Sequence, residues 1–191
     1  MSGKGREIDP IKVLLHWYDR ESEVYKILLS HSQDVARLCL EIIDNTPALE
    51  QAIDRSFVYE AAMLHDIGII DTHTPRLGCN GSQPYIRHGV IGGQMLRSIG
   101  LEAHALVCER HTGMGITLDH ILSDNLPLPP EGLYMPQSVE EKLICFADKF
   151  YSKTHLGVRK TIQEARKSVS RHGADATQRF DHFAMMFPMP N

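Results

Sequence analysis

Apolar residues recur at intervals of three and four along most of the chain, the period of helices with one buried face. The clearest run lies between about Glu21 and Asp44, where Val24, Ile27, Leu28, His31, Val35, Leu38 and Ile42 form one stripe. A short helix is predicted from Asp9-Pro10 to Trp17, with Asp as cap and Pro at the first helical position. A third helix covers about Ile53 to Asp66 and stops at Gly68, read as its C-terminal glycine. Residues 69–84, with Gly78, Gly81, Pro75 and Pro84 interspersed, read as a long loop. Further helices are predicted over Tyr85–Ser98, Leu101–His111, Leu118–Ser123, Ser138–Leu156, Arg159–Ser170 and Ala174–Phe187. Ser138 followed by Glu141 reads as a capping box. No alternating strand pattern, repeat or low-complexity segment interrupts the series. The expectation is an all-α, single compact helical domain over 1–191, with residues 1–8 flexible and 159–191 a C-terminal helical extension. The apolar tail Phe183-Ala184-Met185-Met186-Phe187 packs on that core or, alternatively, forms a homodimer interface.

Composition narrows this picture only a little. Of 191 residues, 42% are hydrophobic and 23% charged, ordinary for a globular chain. The net charge of −4 argues against a nucleic-acid polymer as partner, but not against a small anionic substrate. No apolar run reaches the roughly 18–20 residues of a membrane span, and the polar start does not read as a signal peptide. Cys39, Cys79, Cys108 and Cys145 are far apart and form no Cys-x-x-Cys pair, which fits free thiols in a reducing cytoplasm.

The chemistry lies in ionisable residues on apolar faces. His31, His65, His88, His111 and Asp148 each fall on the apolar side of a different predicted helix, and Asp66 follows His65 directly. Any one of these could be a hydrogen-bonded core residue. Burying two carboxylates without compensation costs several kcal/mol, however, and a divalent cation that also takes neutral imidazoles offsets it. The set therefore reads as a metal site.

His31, the pair His65-Asp66 followed by Ile67-Gly68, and the later Asp148 resemble, in order and spacing, the HD-domain superfamily of metal-dependent phosphohydrolases and its HDIG subgroup. The resemblance covers about residues 24 to 156. It implies that His31, His65, Asp66 and Asp148 hold one metal, and that Asp66 bridges to a second one held by His88 and His111. It also implies hydrolysis of a phosphoester or phosphoanhydride of a small nucleotide-type substrate by metal-activated hydroxide, with Asp66 as the catalytic residue. The implied cofactor is a pair of divalent ions, iron or manganese first, with Ni, Co, Zn or Mg also compatible. The nearest likeness is to small HD proteins that hydrolyse dinucleoside polyphosphates. Two departures turn the reading away from cyclic di-GMP. Ile69 stands where two-metal cyclic-dinucleotide phosphodiesterases carry Lys, and Arg110-His111-Thr112-Gly113-Met114-Gly115 replaces their Gly-Tyr-Pro motif. Without that lysine, Arg87, Arg110 and Lys149 are the candidates for holding phosphate. The alternatives are a one-metal nucleoside monophosphate phosphatase and, more remotely, a di-iron oxygenase or a metal sensor.

Overall fold

The computed structural model describes residues 8–190; the remainder of the segment expected to be flexible, residues 1–7, lies outside the described residues. Asp9 caps α1 (Pro10–Leu14) by accepting from the backbone N–H groups of Ile11 and Lys12. Ser22 caps α2 (Glu23–Asp44), and Asp54 caps α4 (Arg55–Leu64). Between them Pro47 starts a further helix, α3 (Pro47–Ala52), in a stretch for which the sequence pattern predicts none. A proline stops one helix and opens another equally well, because the first helical N–H needs no partner.

Helix α6 (Glu102–Arg110) packs on α4, α5 (His88–Ser98) packs on α6 and on the 3₁₀ turn Ile67–Asp71 after α4, and α7 (Leu118–Ser123) follows. Then α8 (Val139–Asp148) crosses α2. It stops at Asp148, eight residues short of the predicted end at Leu156. The next residues turn back on themselves, with Ser152 bridged to His155 and Gly157 in the left-handed region at φ 72°. Helices α9 (Ile162–Val169) and α10 (Ala174–Met186) pack on one another and α10 on α8. Phe180, Phe183 and Phe187 are buried with Phe146 and Phe150, so the apolar tail joins the core. Of the capping box expected at Ser138, only half forms. The Glu141 backbone N–H donates to Ser138 Oγ, but the Glu141 carboxylate accepts from Gln137 N and Arg110 instead.

The segment 69–84 is structured rather than open. It holds 3₁₀ turns and a two-residue hairpin, β1 (His73–Thr74) paired antiparallel with β2 (Cys79–Asn80). All else in the regular structure of the described residues is helical. Gly68 does not act as a left-handed helix stop. A Cβ there would lie 2.2 Å from His88 O and 2.3 Å from Gly92 N, so glycine is needed for α5 to reach the turn after α4. Tyr18 fixes the same turn, donating to Ile67 O at 2.5 Å and accepting from Ile70 N at 3.2 Å.

Candidate metal centre

Five elements bring six side chains to one point. α2 supplies His31, the end of α4 supplies His65 and Asp66, and α8 supplies Asp148. The first residue of α5 is His88, and His111 ends α6. His31 Nε2 lies 3.2 Å from Asp66 Oδ2 and 3.0 Å from Asp148 Oδ1; His65 Nε2 lies 3.0 and 3.5 Å from the same atoms. On the other side, His88 Nε2 and His111 Nε2 lie 3.3 and 3.5 Å from Asp66 Oδ1. The two carboxylate oxygens of Asp66 thus face two different donor groups: His31, His65, Asp66 and Asp148, and Asp66, His88 and His111.

The protonation pattern makes these groups acceptor-rich. His65, His88 and His111 direct Nδ1 at the carbonyls of Ala62, Tyr85 and Cys108, at 2.7, 2.7 and 2.8 Å. A carbonyl only accepts, so each Nδ1 carries the hydrogen and each Nε2 of a neutral ring carries a lone pair. Burial pushes His88 down to about 3 and also lowers His111, which keeps both rings neutral at pH 7. Their Nε2 atoms nevertheless sit 3.0 Å apart. Two lone pairs at that distance repel unless a cation lies between them. His65 Nε2 and both Asp66 oxygens are fully buried and lack a hydrogen-bond partner of good geometry. Neighbouring donors around an ion with bonds of about 2.1 Å are roughly 3.0–3.4 Å apart, close to these spacings. The clusters are therefore compatible with divalent metal binding.

Charge in the site is nearly balanced. Burial raises the Asp66 carboxyl, but Lys153 and His65 outweigh it and hold it well below the usual carboxylate range. Lys149 and His31 do the same for Asp148 against the same penalty. Burial lowers His65, yet Asp66 and Asp148 push it up to about 9.

Of the three cations expected to hold phosphate, the structure brings one to the site. Lys149 Nζ lies 2.6 Å from Asp148 Oδ2 and donates to His111 O at 3.2 Å. Arg110 turns away from the centre and pairs with Glu141 at 3.0 Å, and neither it nor Arg87 lines the adjoining cavity. Both sit next to a metal-type histidine in sequence, and on a helix adjacent residues point in different directions. The cation that sequence reasoning missed is Lys153, whose Nζ lies 2.5 Å from Asp66 Oδ2. It sits in the turn after α8, which the periodicity had extended as helix. The turn-forming Ser152, Thr154 and Gly157 around it were the available signal. Ile69, in the position of the missing lysine, is buried in the core.

His88, His111, Asp148, Lys149 and Lys153 open onto a cavity of about 700 Å³, within the range of small-molecule sites. Part of its wall is the loop 112–115 after His111. Met114 is buried there in the left-handed region at φ 69°, and Arg179 of α10 donates to Met114 O and Gly115 O at 2.9 and 3.2 Å. A strained non-glycine residue costs about 1–3 kcal/mol and persists only when its surroundings hold it. Here α10 supplies part of that hold.

The fold and the donor set define a class: a helical protein with a buried His/Asp centre of metal-binding type beside an open cavity. The HD domain family profile matches residues 28–152, and the chain belongs to that family, whose members are in general metal-dependent hydrolases. An uncharacterized protein of Methanocaldococcus jannaschii is 36% identical over 125 residues, 61% of this chain and 66% of that one. A tRNA (cytidine(56)-2'-O)-methyltransferase of Picrophilus torridus is 26% identical over 149 residues, 78% of this chain and 38% of that one. The chain thus spans 66% and 38% of the lengths of these relatives. No solved structure matches the chain. Among the described residues no helix is long and apolar enough to cross a membrane.

Proposed function

We propose that this HD domain is a two-ion phosphohydrolase acting on a small, nucleotide-type phosphate ester or anhydride. In this reading His31, His65, Asp66 and Asp148 hold one divalent ion, and Asp66, His88 and His111 hold the other, with iron or manganese the preferred pair. The observation that carries the second ion is the pair of neutral imidazole lone pairs 3.0 Å apart, both near Asp66 Oδ1. Bound divalent ions supply Lewis acidity toward phosphoryl oxygens and activate water at neutral pH.

The chain's own residues do the rest. Asp66 fixes the spacing of the two donor groups, one oxygen to each. Carbonyls of Ala62, Tyr85 and Cys108 lock three imidazoles in the tautomer that presents Nε2. Lys153 and Lys149, each close to a centre carboxylate and each lining the cavity, meet the negative charge that develops on a phosphoryl group. Lys153 takes the part that the residue after the HDIG glycine has in cyclic-dinucleotide phosphodiesterases. Burial pulls its ammonium down, but Asp66 and its neighbours outweigh this and keep it charged. A cavity of this size suits a small substrate better than a polymer. Residues 159–191 are read as part of the same domain, since α10 packs on α8 and its Arg179 holds the loop 112–115 that walls the cavity. Four free, buried cysteines agree with a reducing compartment.

The test is elemental analysis of the purified protein, then a metal-replete screen against mononucleotides, dinucleoside polyphosphates and cyclic nucleotides. Two transition-metal ions per chain and phosphate release that Asp66→Ala abolishes are expected. Activity persisting in Asp66→Ala, or a chain that takes up no metal, refutes the proposal.

A further inference from the structure

The cavity has a second charged wall, away from the centre. Its charged lining comprises Arg76, Lys149, Lys153, Lys160 and Arg171 against only Asp124 and Asp148. Lys149 and Lys153 are matched by the carboxylates of Asp148 and Asp66. Lys160 and Arg171 have no ion-pair partner among the described residues. Lys160 Nζ donates instead to Lys149 O at 3.2 Å, one residue from the centre. Arg171 and His172 come from the 3₁₀ turn 170–172 that joins α9 to α10, and His120 of α7 faces the same space. Burial, then Lys149, Arg171 and His120, hold the His172 imidazole below its usual range. Burial likewise lowers the Lys160 amine, with Lys149 and Arg171 adding to it against the pull of Asp148 and Glu164.

Such crowding of like charges is unfavourable by itself, and an anion seated among them removes the penalty. A chain with net charge −4 that nonetheless gathers unpaired cations on one cavity wall is not showing a general surface bias. The lining is continuous from His88, His111 and Asp148 to the 170–173 turn. One ligand can therefore touch both ends.

We infer that Lys160, Arg171 and His172 form a distal anion subsite, so that the substrate is a phosphate compound bearing a second anionic group. This rests on the phosphohydrolase reading for the reactive end. A phosphate or a carboxylate fits the chemistry of the distal end, with Arg171 suited to either. The subsite selects substrate and takes no part in bond cleavage.

Full-length, metal-replete protein is assayed on three aryl phosphates: phenyl phosphate, 4-carboxyphenyl phosphate and 1,4-phenylene bisphosphate. Wild type is expected to prefer the compounds with a second anion, mainly through KM. In Lys160→Met/Arg171→Met that preference falls by roughly tenfold or more, the scale of a lost charge-assisted hydrogen bond. A preference confined to the bisphosphate assigns the subsite to phosphate; one shared by the carboxylate assigns it to anions in general. A preference identical in wild type and variant overturns the inference. Arg171→Met alone, at an exposed position, guards against a folding defect and is expected to show part of the same loss. Calorimetric titration of the metal-free protein in EDTA with inorganic pyrophosphate gives an independent reading. Roughly tenfold weaker binding by the double variant supports the subsite, and equal affinity refutes it. If wild type cleaves none of the esters, the hydrolase reading fails and the titration still decides the subsite.

Discussion

Among the described residues, histidines meet buried carboxylates in two places, and these differ in how their polar atoms are used. In one, His104 Nε2 meets Glu60 Oε2 at 3.1 Å, and Glu60 Oε1 accepts from the backbone N–H of Ile8 at 3.1 Å. The His104 ring also stands edge-on to Phe57. Both carboxylate oxygens have a donor, and the pair ties residue 8 and α6 to α4. In the other, on the Oδ1 side of Asp66, acceptors face acceptors: the neutral rings of His88 and His111, whose Nδ1 atoms are already spent, point Nε2 at that carboxylate oxygen and at each other. Burial is similar in the two places. What separates a structural pair from a candidate ligand set is the balance of donors and acceptors. A complete balance closes the account of the first pair, while a surplus of lone pairs asks for a cation in the second.

The sharpest way to break this contrast is to remove one carboxylate from each place. Asp66→Ala is expected to lose bound metal and to cut activity by roughly a thousandfold or more. Glu60→Gln keeps its metal content and leaves His104 short of its carboxylate, at a cost of about 1–3 kcal/mol in unfolding free energy. Metal analysis and urea denaturation of both variants check this. Loss of metal in Glu60→Gln would erase the distinction.

Lys153 comes next. If it meets charge on the phosphoryl group, Lys153→Met keeps its metal and loses roughly 10²–10³-fold in kcat. A change in KM alone would make it a binding contact only. His88→Ala then separates the two donor groups. Metal content is expected to fall from two ions to one, and activity by more than the roughly 10–100-fold that loss of a ligand's hydrogen-bonding partner alone costs. Full metal content and activity in that variant would favour the one-metal phosphatase.

The sequence carried much of this picture, because the helices and the candidate ligand set both depend on periodic position. His31, His88 and Asp148 could be placed on apolar faces by counting threes and fours, and the HD family resemblance ordered them. Where α8 ends was not legible: Lys149-Phe150-Tyr151 continues the apolar period, so a helix through Leu156 hid the turn that swings Lys153 onto Asp66. The charge of Arg110 was legible but its direction was not, since the choice between the cavity and Glu141 is made by tertiary packing. Gly68 was recognised as special for the wrong reason. Its constraint is the approach of α5, a contact with residues 88 and 92 that no local pattern shows.

The smallest effect concerns pH, and it separates the two sides of Asp66. His65 is pushed up to about 9 by Asp66 and Asp148 against burial. Between its ordinary 6.5 and 9 the folded protein holds a proton that the unfolded chain has released. Its stabilisation is therefore complete below pH 6.5 and lost as pH rises through 9. His88, pushed down to about 3 by burial, and His111, lowered by burial as well, behave in the opposite way. Below pH 6.5 the unfolded chain takes up protons that these two buried rings refuse, so stability falls with acid, by at most about 1.4 kcal/mol per pH unit for each ring. Asp66 and Asp148 are held so low that their loss begins only near the usual carboxylate range, below this window. Metal-free protein in EDTA is thus expected to be most stable near pH 6.5, with urea midpoints declining on both sides between pH 5 and 9. His88→Gln should flatten the acid limb and leave the alkaline one. A midpoint that moves in one direction across the whole range would mean that the imidazoles on the two sides of Asp66 do not titrate in opposite senses.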